Sequence, residues 1–185
     1  MKVFITGVAG FLGSHLADRM IELGHEVIGV DNLVGGFLEN VNPKVKFYKE
    51  DCNNLEMMKK LMKGCNVVFH GACTAHDGFS LFSPYYITSN TFQITMSVLS
   101  AAACNKVDKF IYCSSMARYG KQPQIPYTEE LECMPVTPYG VGKYASELVV
   151  KQICELNGIK YTIIVPHNII GPRQNFTDPF RNVAA

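Results

Sequence analysis

The first thirteen residues restrict the fold more than any other part of the chain. Lys2-Val3-Phe4-Ile5-Thr6 is an apolar run of strand type, and it leads directly into Gly7-x-x-Gly10-x-x-Gly13. Leu12, Leu16, Met20 and Leu23 then recur at helical spacing. In a strand–turn–helix of this kind each glycine has a task. The first permits a tight turn, the second lets the main chain approach a pyrophosphate, and the third lets the helix pack closely on the strand. The helix N-terminus offers unpaired N–H groups and a positive dipole end to phosphate. The bland alternative is an ordinary glycine-rich turn.

The next apolar run favours the nucleotide. Glu26-Val27-Ile28-Gly29-Val30 ends at Asp31-Asn32-Leu33. An acidic residue about 20 positions beyond the glycines accepts hydrogen bonds from adenosine ribose hydroxyls and repels a 2′-phosphate. No Arg or Lys lies between Arg19 and Lys44 to neutralise one. The expected cofactor is therefore NAD rather than NADP. The alternative for Asp31 is a solvated turn carboxylate.

Downstream, strand-like and helical patterns alternate. The pattern predicts strands at 2–6, 26–31, 45–49, 66–70, 108–113 and 160–165, and helices at 11–23, 54–63, 88–104 and 140–157. Loops are expected over 34–43, 74–84, 119–138 and 166–179. Such alternation implies an α/β fold, a doubly wound Rossmann-type parallel sheet with helices on both faces. Ligands then bind at the carboxyl ends of the strands, and the motifs of this chain fall on the loops there. Residues 1–185 are expected to form one NAD-binding domain. Asp178–Ala185 reads as the start of a helix without a stop signal, so the expectation is a chain truncated within a longer protein, before a C-terminal substrate-binding portion.

Composition narrows the partners. A net charge of +1 with 18% charged residues and no basic stripe argues against nucleic acid or an acidic membrane. No apolar run approaches the roughly 20 residues of a membrane span, and no signal peptide is expected ahead of the first strand. Seven cysteines at irregular spacing, without CxxC, read as buried free thiols in a reducing, cytoplasmic setting. No metal site is expected, since His15, His25 and His76 lack ligand spacing.

Tyr139 and Lys143 open the last helical stretch four residues apart, on one face. They follow the Ser114-Ser115 pair, Tyr139 lying 24 residues after Ser115. A phenol ordinarily titrates near pH ~10, and a neighbouring cation favours the phenolate. The expected result is a base that works near neutral pH. A YxxxK spacing is common by chance, and the glycine turn at the other end gives it weight.

Together these segments resemble the extended short-chain dehydrogenase/reductase superfamily, in particular NAD-dependent sugar-nucleotide epimerases of the UDP-galactose (UDP-glucose) 4-epimerase kind. The likeness runs through Gly7–Gly13, Asp31-Asn32-Leu33, Glu50-Asp51, Val67–Cys73, Asn90, Phe110–Gly120, Ile125–Glu129, Pro138–Lys143 and His167–Arg173, in order. It implies that Gly7, Gly10, Phe11, Leu12 and Gly13 cradle the pyrophosphate. Asp31 and Asn32 hold the adenosine ribose side, and Asp51 with Cys52 meets the adenine edge. Ala72 and Cys73 line the nicotinamide half, and Asn90 also belongs to the cofactor set. Ser115, Tyr139 and Lys143 are the implied catalytic residues: Tyr139 the base, Ser115 the hydroxyl that steadies the developing ketone, Lys143 the anchor of the nicotinamide ribose and depressor of the Tyr139 pKa. Asn168 and His167 are the implied substrate contacts, with Ser115. The implied partner is a nucleotide sugar, and matching helices in the resembled family pair across a two-fold axis. A homodimer through Ile94, Val98, Ala101 and Ala102 with Leu148, Val149 and Ile153 is therefore expected.

Several positions depart from that pattern. Met116 and Ala117 stand where dehydratases carry acids, so elimination of water is disfavoured. Arg118 replaces a usually apolar residue, facing either a substrate phosphate or a carboxylate. Cys73 falls where a different segment is usual. His70 reads as structural, Arg173 as the partner of an acid. The leading expectation is a 4-epimerase. Its rivals are a 4-ketoreductase or a C3 or C5 epimerase of the same superfamily, a non-catalytic NAD-binding regulatory protein, and half of a split enzyme.

Overall fold

Alternation along the chain becomes alternation in space. The computed structural model describes residues 1–178. Six strands, β1 (Lys2–Thr6), β2 (Glu26–Asp31), β3 (Lys46–Lys49), β4 (Val67–His70), β5 (Lys109–Cys113) and β6 (Lys160–Ile164), form one sheet. Its order is β3-β2-β1-β4-β5-β6, and all neighbours are parallel. Among the described residues, five α-helices connect and cover it: α1 (Phe11–Glu22), α2 (Leu55–Leu61), α3 (Pro84–Thr88), α4 (Ile94–Cys104) and α5 (Pro138–Leu156).

The strand period of two sorts each apolar run onto both faces. Val3, Ile5, Val27, Phe69 and Cys113 pack with Leu12, Leu16 and Ala17 of α1. Phe4, Ile28, Val68, Phe110 and Tyr112 pack with Met58, Val98, Ala102, Val150 and Cys154 of α2, α4 and α5. Burial on both sides explains why these strands read as continuous apolar runs.

The strand bounds lie within one residue of those the pattern predicts; the helices differ more. The pattern predicts loop up to Pro84, yet α3 starts there, because proline's fixed φ and missing N–H suit a first helical position. Between α3 and α4 the helix widens into a π-type turn, Ser89–Gln93, with Asn90 at φ −90°, ψ 15°. The Asn90 carbonyl accepts from Thr74 N–H at 3.1 Å, stitching this helix to the loop after β4. Helix α5 begins two residues earlier than the pattern predicts. Thr137 caps it by accepting from Gly140 N–H at 3.1 Å, and Pro138 is its first residue. The expected helix start at 178–185 lies outside the described residues but for Asp178. All seven cysteines are free thiols, but only four are buried; Cys73 and Cys133 are half-buried and Cys104 is exposed. The residues of α4 expected at a dimer face, Ile94, Val98, Ala101 and Ala102, instead lie in the core beneath the sheet, at 4% exposure or less.

The strand order reverses between β1 and β4. Loops leaving their carboxyl ends diverge there and open a crevice.

Candidate active site

One end of the crevice is a phosphate cradle. Gly10 is the N-cap of α1; no side chain caps it, and the first turn holds no acid. The helix N–H groups and dipole are thus left to an anion. A Cβ on Gly13 would lie 2.1 Å from Gly7 O, so only glycine lets α1 descend onto the turn. Beside it, Asp31 is 8% exposed. Its Oδ2 accepts from Ala9 N–H at 3.0 Å and its Oδ1 from Leu33 N–H at 2.8 Å. Burial raises the pKa of this carboxyl, while backbone N–H groups oppose the rise. Asn32 Nδ2 donates to Asp51 Oδ2 at 3.4 Å, joining the loops after β2 and β3. A bare helix start with an acid at the end of β2 fits a dinucleotide such as NAD.

The other end holds Ser115, Tyr139 and Lys143. Ser115 follows β5 and caps the 3₁₀ turn Met116–Tyr119, its Oγ accepting from Ala117 N–H at 3.2 Å. Tyr139 is 7% and Lys143 2% exposed. Lys143 Nζ donates to Cys113 O at 2.8 Å and lies 5.2 Å from the centre of the Tyr112 ring and 5.8 Å from that of Tyr139. The expected i, i+4 placement holds; the expected electrostatics does not. Burial, with Cys73 adding to it, pushes the Tyr139 phenol above its ordinary value. Lys143 and a hydrogen bond with Ser115 pull it down without prevailing. Desolvation of a phenolate in this dry corner outweighs one cation. Lys143 itself is disfavoured as a cation by burial, but Cys73, Tyr112, Tyr139 and Cys113 hold its pKa well above the usual lysine value.

Two buried networks brace this corner. Thr95 Oγ1–H is committed to Thr91 O at 2.6 Å, so Thr95 Oγ1 accepts from His70 Nε2–H at 3.0 Å. His70 Nδ1 then accepts from Thr6 Oγ1–H at 2.8 Å, and Thr6 Oγ1 accepts from Ala72 N–H at 3.2 Å. His70 is thus a structural residue that fixes the Ala72 amide. Burial, helped by Lys143, pushes its pKa down to about 3. Behind Ser115, Ser114 Oγ donates to Glu147 Oε1. Arg118 Nη1 meets Glu147 Oε2 at 2.6 Å, the two side chains 12% and 1% exposed. Arg118 therefore faces a carboxylate, a buried one. Arg173 meets an acid too, Asp18 of α1, at 2.7 Å.

A cleft of about 570 Å³ runs between the two ends. All the residues expected to touch cofactor or substrate line it: Gly7, Gly10, Phe11, Leu12, Gly13, Asp31, Asn32, Asp51, Cys52, Ala72, Cys73, Asn90, Ser115, Tyr139, Lys143, His167 and Asn168. The loop Val34–Phe37 and the segment His76–Asp77 also line it, and no motif marks them. His76 Nε2 lies 2.8 Å from Asp178 Oδ2, joining the loops after β4 and β6 across the cleft. Among the described residues no cluster of three or more His, Cys, Asp or Glu could hold a metal, and no helix is long and apolar enough to cross a membrane.

Known proteins share this sequence and fold. The family model described as "NAD dependent epimerase/dehydratase family" matches residues 3–184. A putative UDP-glucose 4-epimerase of Methanocaldococcus jannaschii is 34% identical over 175 residues, covering 94% of this chain and 57% of its own length. The UDP-glucose 4-epimerase of Thermotoga maritima, solved with UDP-glucose, superposes with a TM-score of 0.91 at 34% identity, covering 95% of this chain and 58% of the other. The UDP-glucuronic acid 4-epimerase of Bacillus cereus, solved with UDP-glucuronic acid and NAD, gives 0.85 at 30%, covering 94% and 59%. The chain thus spans little more than half the length of these relatives.

Proposed function

This chain belongs to the NAD dependent epimerase/dehydratase family, and from that premise we propose that it carries the cofactor site and catalytic residues of a nucleotide-sugar 4-epimerase. The substrate is a UDP-hexose or UDP-N-acetylhexosamine. The observation that carries the reading is the convergence of Ser115, Tyr139 and Lys143 on the cleft whose far end is the glycine cradle. Bound NAD would supply the hydride acceptor and donor, and a positive ring charge beside Tyr139. Tyr139 removes the proton of the 4-hydroxyl and later returns it. Ser115, whose Oγ accepts from Ala117 N–H, can turn its O–H from the Tyr139 phenol to the developing carbonyl. Lys143, anchored on Cys113 O, holds a positive charge against the phenol and the cofactor ribose. Asp31 and Asn32 bind the adenosine ribose, Asp51 and Cys52 the adenine edge, Ala72, Cys73 and Asn90 the nicotinamide half. Asn168 and His167 face the substrate. Met116 and Ala117 cannot protonate a leaving hydroxyl, which favours epimerisation over loss of water. A homodimer through the outer face of α5 completes the proposal.

The test is anomeric-region proton NMR of UDP-glucose and UDP-N-acetylglucosamine incubated with NAD and the protein from its whole gene. New galacto-configured signals without NADH accumulation are expected. Tyr139→Phe should lower turnover at least a hundredfold with NAD affinity unchanged. Full activity in that variant would overturn the assignment of the base.

A further inference from the structure

The cleft has a side recess whose walls include Asp77, Ser115, Met116, Ala117, His167 and Asn168. Asp77 arrives from the loop after β4, far in sequence from the other walls. Its Oδ1 accepts from Thr137 Oγ1–H, and Thr137 Oγ1 accepts in turn from Gly140 N–H at 3.1 Å. The carboxylate is thereby held at the N-terminus of α5, the helix that carries Tyr139. That 19-residue helix has no acid of its own in its first turn, so Asp77 supplies the anion its dipole favours.

We propose that Asp77 makes this site select uncharged sugars and reject uronates; the inference rests on the nucleotide-sugar reading above. A sugar whose 4-hydroxyl meets Ser115 and Tyr139 projects its neighbouring substituents along the recess. Met116 and Ala117 offer it no polar side-chain atom. The cations nearby are engaged elsewhere, Arg118 with Glu147 and Lys143 with Cys113 O, and neither lines the recess. Asp77 is the one carboxylate among the described recess walls, and its outer oxygen can accept from a sugar hydroxyl. A sugar carboxylate would instead meet a like charge on this exposed side chain, a penalty of roughly fivefold in affinity at low salt. Without that charge, the positive end of α5 becomes free to attract the same carboxylate.

Calorimetric titration of the NAD-loaded protein from its whole gene tests this, with UDP-glucose and UDP-glucuronic acid, at pH 8 and low salt. The wild type is expected to prefer UDP-glucose by about fivefold or more. Asp77→Asn keeps the acceptor for Thr137 and removes only the charge. It should cut the preference by roughly threefold or more by tightening the uronate, whereas Asp77→Glu should keep it. Asp77→Ser serves as a second neutral variant should the Asn protein melt early. An unchanged ratio in the neutral variants, or a wild-type preference for the uronate, overturns the inference and leaves the epimerase reading standing. Failure of both ligands to bind NAD-loaded protein overturns both.

Discussion

His70 is held neutral by its burial, with Lys143 adding to the effect. Its Nδ1 can only accept from Thr6 and its Nε2 can only donate to Thr95, so a second proton breaks the chain that reaches Ala72 N–H. The consequence is a stability that depends on pH. Above about 6.5, the ordinary histidine value, folded and unfolded chains both hold the ring neutral. Between 6.5 and the folded value of about 3, only the unfolded chain takes the proton. Stability is therefore complete above that window and falls as pH drops through it, by up to about 1.4 kcal/mol per unit. Urea midpoints at pH 7.5 and 5.0 should differ less in His70→Gln than in the wild type, by the equivalent of about 2 kcal/mol. An equal pH dependence in both proteins would refute the assignment. Nothing in the neighbouring sequence shows this network: Thr6, His70 and Thr95 are far apart in the chain, and only the pairing of β1 with β4, with α4 packed above, unites them.

Helix α5 and the Ser115 turn work as one unit because they are locked together twice. Gly140 lies so close to the turn that a Cβ would sit 2.6 Å from Ala117 O. Two turns further on, Glu147 takes a hydrogen bond from Ser114 and an ion pair from Arg118, whose guanidinium also lies 4.5 Å from the centre of the Tyr119 ring. Breaking one half of a buried pair leaves the other charge uncompensated, whereas removing both avoids that penalty. Glu147→Gln is expected to lower unfolding stability by about 3 kcal/mol. The double variant with Arg118→Met should lose clearly less than the sum of the two single losses. Strict additivity in chemical denaturation would show that the pair is not coupled. Local pattern reveals α5 and its Tyr139–Lys143 face. Arg118 on its own sequence is equally suited to a phosphate, and only the docked helix shows the carboxylate it meets.

At the scale of the molecule, several large apolar side chains lie outside the core, among them side chains on α5 and at α3. Val141 and Leu148 on α5 are 51% and 43% exposed, Tyr85 on α3 is 85% exposed, and Phe82 just ahead of α3 is 83% exposed. Exposed apolar side chains a helical repeat apart on α5 suit association, and a two-fold contact would bury that α5 face on both copies. Sedimentation of the wild type at micromolar concentration should give a dimer, and Leu148→Glu a monomer. A wild type that sediments only as monomer would refute the homodimer. What the sequence alone determined is the set of local units: strands whose apolar runs bury both faces, a glycine turn only a close-packed helix requires, a tyrosine and lysine four residues apart. These follow from short-range sterics and period, which neighbours in the chain carry. The tertiary structure decided what those units meet. Strand order brought the glycine turn, the acid after β2 and the Ser115 corner into one cleft, and set Asp77 against Thr137. Burial then reversed the expected direction of the Tyr139 pKa, because the cost of desolvating a charge depends on the whole surround and no spacing along the chain records it.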